Sequence, residues 1–278
     1  MIDLTKFKPQ LVGEGDLGIF LYNNDSVFVE PKIDGVRILC MKRGDEIRFF
    51  ARSGAEWTKR FGDIGKEIAK GIHADNIILD GEMAVVKKGK VMSSNAVLQK
   101  KLPDDQKFVY FVFDVLQIGE HLLYKEPLLT RKQHLGLLIE DNEHLSHVPF
   151  FCTNTIVDIQ EFYKKMIEKG MEGIVVKNCS AYYPGSRYNW LKKKPLRTID
   201  LQVISRKERK DKLGWIYTLA EGERIIGTAS SKLDINNGQI VEVGYDTKYE
   251  KGNSYKLRFP KILRERGDKA GFVSIKSI

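Results

Sequence analysis

Apolar residues recur with helical spacing in several parts of the first two thirds of the chain. Isoleucines stand four residues apart within DIGKEIAKGI, which predicts a helix over 63–72. The spacing of leucine and isoleucine predicts further helices over 127–141 and 156–169. Residues 93–102 begin with serine and asparagine, which are typical of a helix N-cap, and predict a short helix.

Strand patterns lie between these helices. The stretch IILDGEMAVV predicts a strand over 77–86, and the almost continuous apolar run over 107–117 is typical of a buried strand. GIVVK (173–177) and WLKKKP (190–195) predict two more strands, with a loop rich in glycine and tyrosine between them. Helices and strands therefore alternate irregularly.

The pattern changes after Pro195. TIDLQVIS, GWIYTLA, RIIGTAS and QIVEVGY are short strand patterns separated by turns of Gly, Asn, Asp and Lys, as in a small antiparallel barrel. We therefore predict an α+β chain of two domains. Residues 1–196 form antiparallel sheets with flanking helices, and residues 197–278 form a small all-β barrel.

The run Val27–Ile33 has the β-branched and aromatic content of a strand. Side chains alternate along a strand, so Phe28, Glu30 and Lys32 share one face. Pro31 cannot donate to a ladder, which predicts that this strand lies at a sheet edge or is locally broken.

The next residues predict a hairpin. Asp34-Gly35 is a strong turn signal, and Val36–Met41 has the pattern of a returning strand. Such a hairpin would hold Lys32 beside its bend and bring Arg37 near it.

Charge and cysteine content restrict the classes of partner and of site. The chain has 46 basic and 37 acidic residues, and residues 196–278 alone hold 17 basic against 11 acidic residues, which suggests a polyanion partner. The three cysteines include no CxxC pair and the five histidines form no ligand-spaced cluster, so we expect neither a disulfide framework nor structural zinc. The N-terminus lacks the apolar core of a signal peptide and no run is long enough to span a membrane, so we expect a cytoplasmic protein.

The stretch EPKIDGVR, at residues 30–37, raises the question whether Lys32 is a surface charge or a reactive amine. Most lysines are solvated surface charges, and Lys32 taken alone fits that description. A lysine becomes a nucleophile where burial or neighbouring cations lower its pKa. The rest of the chain must supply such neighbours.

Five other short stretches bear on Lys32: ARSG (51–54), LDGEM (79–83), FVFDV (111–115), EGIVVK (172–177) and WLKKKP (190–195). Each alone has an ordinary structural explanation, for example Phe113 as a core residue. Together with KxDGxR, and in this order, they resemble the covalent nucleotidyltransferases, the superfamily of polynucleotide ligases and mRNA capping enzymes. The resemblance covers roughly residues 28–195.

The resemblance implies a role for each matching residue. Lys32 attacks the α-phosphate of a nucleoside triphosphate, with Asp34 beside it in the motif. Cations lie against that phosphate, Glu172 binds a metal, Glu82 contacts ribose or metal, Phe113 stacks on the base and Glu30 reads it. The remaining nucleotide contacts are the α-phosphate lysines Lys192 and Lys194, the sugar and phosphate contacts Arg37 and Arg52, and also Lys177 and Arg187.

The C-terminal segment indicates which member of the superfamily the chain resembles. A small barrel after the LKKK strand resembles the nucleic-acid-binding OB-fold domain of these enzymes, and LRFPKILRERGDK resembles the closing motif of ATP-dependent DNA ligases. The residues that match this motif are Arg258, Arg264, Arg266, Asp268 and Lys269. In that family the motif folds over ATP and orients the pyrophosphate leaving group.

The resemblance to a minimal ATP-dependent DNA ligase implies ATP, Mg²⁺, a covalent lysyl-AMP on Lys32 and nicked duplex DNA as partner. We expect a monomer without an additional DNA-binding domain, as in viral, phage and some bacterial enzymes. The alternatives are an mRNA capping guanylyltransferase, which WLKKKP partly resembles, and an RNA ligase. A non-enzymatic basic OB module would explain the charge but not Lys32 with its companions.

Overall fold

The computed structural model describes residues 2–251 and 254–269, and the chain divides into two compact units, Met1–Lys194 and Pro195–Ile278. The first unit mixes helices and strands, whereas the described part of the second consists of strands and turns. The predicted α+β class, with antiparallel sheets and flanking helices, is confirmed. Over the residues described, none of the helices has the length and apolar composition needed to cross a membrane.

The helices of the first unit are α1 (Leu17–Tyr22), α2 (Thr58–Lys70), α3 (Leu128–Leu138) and α4 (Ile156–Glu168), with 3₁₀ turns at Ser94–Leu98, Leu123–Lys125 and Arg187–Asn189. Three of them, α2 to α4, overlap the helices predicted from periodicity, and α1 was not predicted. The helix predicted over 93–102 is thus only a 3₁₀ turn. A distant residue caps this turn: the backbone N–H of Ser94 donates a hydrogen bond to Asp34 Oδ1 at 3.2 Å.

The larger sheet of the first unit has six strands. They are β2 (Val36–Arg43), β3 (Glu46–Ala51), β4 (Asn76–Lys87), β5 (Lys90–Val91), β6 (Gln106–Ile118) and β7 (Leu145–His147). Their order is β3-β2-β4-β6-β7, β5 pairs with β4, and only the β6–β7 pair is parallel. The predicted strands over 77–86 and 107–117 are therefore the long central pair.

The smaller sheet contains the strand that ends just before Lys32. It comprises β1 (Val27–Pro31), β8 (Phe151–Thr153), β9 (Ile174–Asn178) and β10 (Trp190–Lys193), in the antiparallel order β10-β9-β1-β8. The predicted edge position of β1 is wrong, because β1 has neighbours on both sides. Pairing with β8 nevertheless stops at Val29, and the Lys32 N–H donates to Gly173 on the β9 side. Alternation then directs Pro31's nitrogen away from β9, where no ladder partner is required.

The predicted hairpin is also wrong. β1 and β2 belong to different sheets, and residues 32–35 carry the chain from one sheet to the other. Gly35 is required by a close approach: a Cβ there would lie 2.4 Å from the carbonyl oxygen of Met83. An Asp-Gly pair marks a change of direction, but it does not specify which strand the chain joins next.

Apolar layers lie on both faces of the larger sheet. Alternate β2 residues Ile38 and Cys40 belong to the core with α2, while Leu39 and Met41 belong to a second core that includes Phe113 and Trp190. Because Trp190 lies on β10, the second core joins the two sheets. The outer face of the smaller sheet packs with α1 and α4.

The second unit is an antiparallel sheet with a separate hairpin. Its strands are β11 (Arg197–Glu208), β12 (Trp215–Glu221), β13 (Arg224–Ser231), β14 (Ile240–Tyr245), β15 (Thr247–Lys251), β16 (Ser254–Arg258) and β17 (Lys261–Glu265). The order is β13-β12-β11-β14-β17, and β15 pairs with β16. β13 also lies close to β16 and β17, but among the described residues no hydrogen-bonded ladder closes the barrel.

Candidate active site

Lys32 lies where β1 ends, and Glu172 immediately precedes Gly173 and β9. The Glu172 carboxylate contacts two ammonium groups, with Oε2 against Lys32 Nζ and Oε1 against Lys194 Nζ. The side chains of Lys32 and Glu172 are 21% and 19% exposed, so the group is accessible from solvent. Three residues predicted separately are therefore brought together.

Gly173 permits this arrangement. Its φ is +148°, and a Cβ would lie 2.1 Å from the carbonyl oxygen of Lys193. The backbones of β9 and β10 can thus approach closely enough for Glu172 and Lys194 to meet. The requirement for glycine after Glu172 is steric as well as conformational.

A second charged group lies on the larger sheet. Arg37 Nε and Nη2 donate to the two oxygens of buried Asp80 at 2.5 and 2.6 Å, and Tyr183 donates to Asp80 Oδ2 at 2.6 Å. Burial lowers the pKa of Arg37, but the Asp80 carboxylate more than offsets this effect and the pKa lies above the ordinary arginine value. Asp80 therefore fixes a permanent cation in the site.

Glu82 lies two residues beyond Asp80 on β4 and has an altered pKa. Burial raises the pKa of Glu82 to about 7, Arg37 and Lys32 oppose the shift, and Asp80 and Glu172 add to it. These couplings place Glu82 in the same electrostatic environment as Lys32 and Glu172. Glu82 can therefore change its protonation state near neutral pH, a property that marks functional carboxylates more often than surface ones.

Glu30 lies deeper in the smaller sheet than the prediction implied. It is 2% exposed, and its carboxylate lies 2.5 Å from Lys132 Nζ and 2.6 Å from Lys177 Nζ. Burial lowers the pKa of Lys177 to about 8, with Glu30 opposing the shift. The Lys177 ammonium also lies 4.3 Å from the ring centroid of Phe113 and 4.1 Å from that of Trp190.

Phe113 is 8% exposed, and the Arg37 guanidinium carbon lies 4.4 Å from its ring centroid. Two cations therefore contact the ring that is predicted to stack on a base. Stacking of a base on Phe113 stays a prediction.

Lys132 was missed by sequence reasoning. It lies on α3, four residues after buried Leu128 and three before buried Leu135, and is itself 2% exposed. The sequence did contain a signal for it. A lysine whose spacing places it among the apolar residues of a helix is buried, and a buried lysine needs an acceptor.

Other predicted residues are not part of these groups. Arg52 is exposed just after β3, Arg187 donates to the carbonyl of Val12 at 3.2 Å, and Lys192 lies 3.0 Å from exposed Glu14. Lys192 and Lys194, predicted on one strand face, therefore contact different carboxylates, and β10 ends before Lys194.

The residues of the predicted closing motif form a separate cluster in the second unit. Arg266 donates to both oxygens of Asp268 and lies 3.1 Å from Asp200, which also contacts Lys269 at 2.5 Å. The hydrogen bond from Arg266 lowers the pKa of Asp268 to about 2. Asp200, on β11, was not singled out from the sequence. Arg258 and Arg264 pair instead with Asp246 and Glu242.

Comparison with solved structures identifies the fold. A structure titled Pmar-Lig_Pre. has a TM-score of 0.68 at 19% identity, covering 94% of this chain and 68% of that chain. A Lig E DNA ligase has a TM-score of 0.61 at 18% identity, covering 94% and 99%. The ligase domain of M. tuberculosis LigD has a TM-score of 0.58 at 16% identity, covering 96% and 97%. These similarities show that the chain has the same fold, a nucleotidyltransferase unit followed by an OB-fold unit.

Curated relatives agree with this fold. DNA ligase 1 of Korarchaeum cryptofilum is 26% identical over 87% of this chain and 53% of the relative, and a DNA ligase of Methanococcoides burtonii is 28% identical over 87% and 51%. The chain thus spans about half the length of these relatives. Residues 17–194 match the family described as ATP dependent DNA ligase domain. This match extends over well more than half of the sequence and includes Lys32, Glu172 and Lys194, so the chain belongs to the family of ATP-dependent DNA ligases.

Proposed function

We propose that this chain seals nicks in duplex DNA with ATP through a covalent lysyl-AMP on Lys32. Family membership supports this proposal, and the observation that carries it is the contact of the Glu172 carboxylate with both Lys32 and Lys194. The amine of Lys32 and the second cation, Lys194, thus contact the same carboxylate, and both could contact a phosphate bound beside it.

The reaction has three steps. Lys32 Nζ attacks the α-phosphorus of ATP, a P–N bond forms, the P–O bond to pyrophosphate breaks and the amine releases a proton. An oxygen of the 5′-phosphate at the nick then attacks the AMP phosphorus, and the P–N bond breaks to regenerate the lysine. Finally the 3′-OH attacks the 5′-phosphorus, a phosphodiester forms and AMP leaves.

The residues around Lys32 have complementary tasks in this proposal. Glu172 holds the Lys32 and Lys194 ammoniums in place before nucleotide binds. When the triphosphate arrives, Lys194 can transfer its contact to the α-phosphate and stabilise the negative charge that develops there. Arg37, held by Asp80, supplies a fixed cation beside the same site.

Glu82 and Glu172 fit a Mg²⁺ ion. Mg²⁺ is commonly held by one or two carboxylates together with substrate phosphates and waters. Two coupled carboxylates satisfy this description, although no group of three or more His, Cys, Asp or Glu suited to a metal occurs among the described residues. When bound, the ion would neutralise charge on the phosphates, and ionised Glu82 and Glu172 would hold it.

Nicked duplex DNA is the proposed substrate of the whole chain. The excess of basic residues after position 195 suits a polyanion, since phosphate contacts dominate the affinity of DNA-binding proteins. On this proposal the protein acts as a monomer without structural zinc.

The test uses ATP or GTP labelled at the α-phosphate, with Mg²⁺ and a denaturing gel. We expect ATP to label the protein, Lys32→Ala to abolish the label, and Lys164→Ala, at an exposed position of α4, to retain it. The labelled wild type should then seal a nicked duplex without further ATP. Labelling by GTP alone would transfer the function to a capping enzyme, and label persisting in Lys32→Ala would exclude this lysine as nucleophile.

A further inference from the structure

Two consecutive basic residues of α3 connect the helix to different sheets. Arg131 donates to both oxygens of Asp114 on β6 at 2.8 and 2.9 Å, and Lys132 contacts Glu30 on β1 at 2.5 Å. All four side chains are buried. Helix α3 therefore holds a carboxylate in each of the two sheets that carry the candidate active site.

The two ion pairs differ in their hydrogen bonding. Arg131 and Asp114 form a matched bidentate pair, which suits a structural role. In contrast, Lys132 places a single ammonium group 2.5 Å from Glu30 Oε1, a single contact and not a matched pair, and a carboxylate oxygen has more than one acceptor site. Glu30 Oε1 thus keeps the capacity to accept a hydrogen bond from a further donor.

Packing alone does not explain Glu30. Its neighbours on β1, Val27 and Val29, are fully buried, and burying an ionic group costs free energy that an apolar side chain would avoid. Glu30 lies two residues before Lys32, a separation of about 7 Å along a strand. Its partner Lys177 contacts the aromatic ring of Phe113. An acceptor, an aromatic ring and a nucleophile within this distance suit the base end of a nucleotide bound at Lys32.

We propose that Lys132 is a positioning residue that sets base specificity through Glu30, an inference that rests on the proposed function. Lys132 and Lys177 each contact one oxygen of the Glu30 carboxylate, a group that accepts hydrogen bonds and donates none. It then favours a purine with an amino group at C6 over one with an oxygen there. Because Glu30 is almost completely buried, a ligand atom that reaches it leaves water, and an unmatched polar group there is costly.

The experiment measures equilibrium binding of ATP, GTP and purine riboside triphosphate, which lacks the 6-amino group. We expect Lys132→Met to weaken ATP binding about tenfold, the value of one charge-assisted hydrogen bond, and to change binding of purine riboside triphosphate little. Lys132→Arg should restore most of the preference for ATP. Lys164→Met is the matched control, an exposed lysine that should leave all three affinities unchanged.

A double variant separates positioning from a general structural effect. If Lys132 acts through Glu30, then Lys132→Met adds no further loss of ATP affinity to Glu30→Gln. Additive losses, or unchanged selectivity in Lys132→Met, would overturn the inference. Should Lys132→Met lose its melting transition, Lys132→Gln replaces it with the same expectations.

Failure of the proposed function gives a different result. A wild type that binds ATP selectively but takes no covalent label contradicts the ligase proposal, while the binding data still decide the role of Lys132. A wild type that binds no nucleotide contradicts both.

Discussion

At the scale of single residues, the candidate site pairs its cations with carboxylates. The pairs share one property, in that the carboxylate holds a basic group near the position predicted for a phosphate or base. They are Lys32 and Lys194 with Glu172, Arg37 with Asp80, and Lys177 with Glu30. Opposite charges at such distances hold the side chains in place before nucleotide binds.

Glu82 is not one of these ion-paired carboxylates, and its raised pKa predicts a pH dependence of stability. Between the ordinary value of 4.5 and about 7, folded protein retains a proton that the unfolded chain has released. The free energy of unfolding therefore falls as pH rises through this window and stays lower above it. Glu82→Gln removes the effect, so its stability relative to wild type should increase from pH 5 to pH 8 by at most about 3 kcal/mol.

Urea denaturation in Mg²⁺-free buffer measures this difference through tryptophan fluorescence, to which Trp57 and Trp190 contribute from the first unit and Trp215 from the second. Glu161→Gln, on the exposed face of α4, provides the control and should show a constant difference from wild type across the same pH range. A constant difference for Glu82→Gln as well would show that burial does not alter this carboxyl group.

At the scale of elements, two glycines illustrate opposite requirements. Gly35 lies in the link between the two sheets, where a Cβ would meet the Met83 carbonyl oxygen at 2.4 Å. Gly62 lies inside α2, where a Cβ would meet nothing within 4 Å. The first glycine is needed for close packing, while the second only weakens its helix.

The same substitution at these two glycines should therefore have opposite effects. Gly35→Ala should lower the free energy of unfolding by about 2 kcal/mol, because β4 and the link must separate. Gly62→Ala should raise it by about 1 kcal/mol, the difference in helix propensity between alanine and glycine. Thermal denaturation of the two variants beside wild type tests both signs, and a stable Gly35→Ala would show that the link can move away from β4.

At the scale of the whole molecule, the Lys32 group belongs to the first unit and the Arg266 cluster to the second. Asp200 and Asp268 hold the basic groups of this cluster together. On the proposed function, the cluster assists departure of pyrophosphate, which occurs only in the first chemical step.

Arg266→Ala and Lys269→Ala should therefore slow self-adenylylation far more than sealing of a nick that already carries AMP. Labelling with ATP and sealing of the pre-adenylylated nick are measured side by side. Arg209→Ala removes a partly exposed arginine paired with Asp211 in the same unit and should affect neither reaction. Equal losses in the two assays would assign Arg266 and Lys269 to stability of the second unit or to DNA binding.

The chain's local patterns determined most of its elements. Helices α2, α3 and α4 and strands β4 and β6 follow from apolar periodicity, because spacing along the chain decides which side chains can share a buried face. The ordered motifs around Lys32 and Glu172 likewise indicated the family before any contact was known. A reaction that depends on the types and the order of a few residues can be predicted from such motifs.

Only the tertiary structure decided which elements meet. Asp34-Gly35 predicted a turn, but the partners of β1 are β8 and β9 and not β2, since strand pairing depends on burial of both faces by distant segments. Lys132 and Asp200 lie outside the recognised motifs. Lys132 contacts Glu30, 102 residues away along the chain. Asp200 contacts Arg266 and Lys269, which lie 66 and 69 residues away. The sequence thus determined the chemical groups available, and long-range packing determined which buried charges hold them, because a buried charge is stable only where another segment supplies its partner.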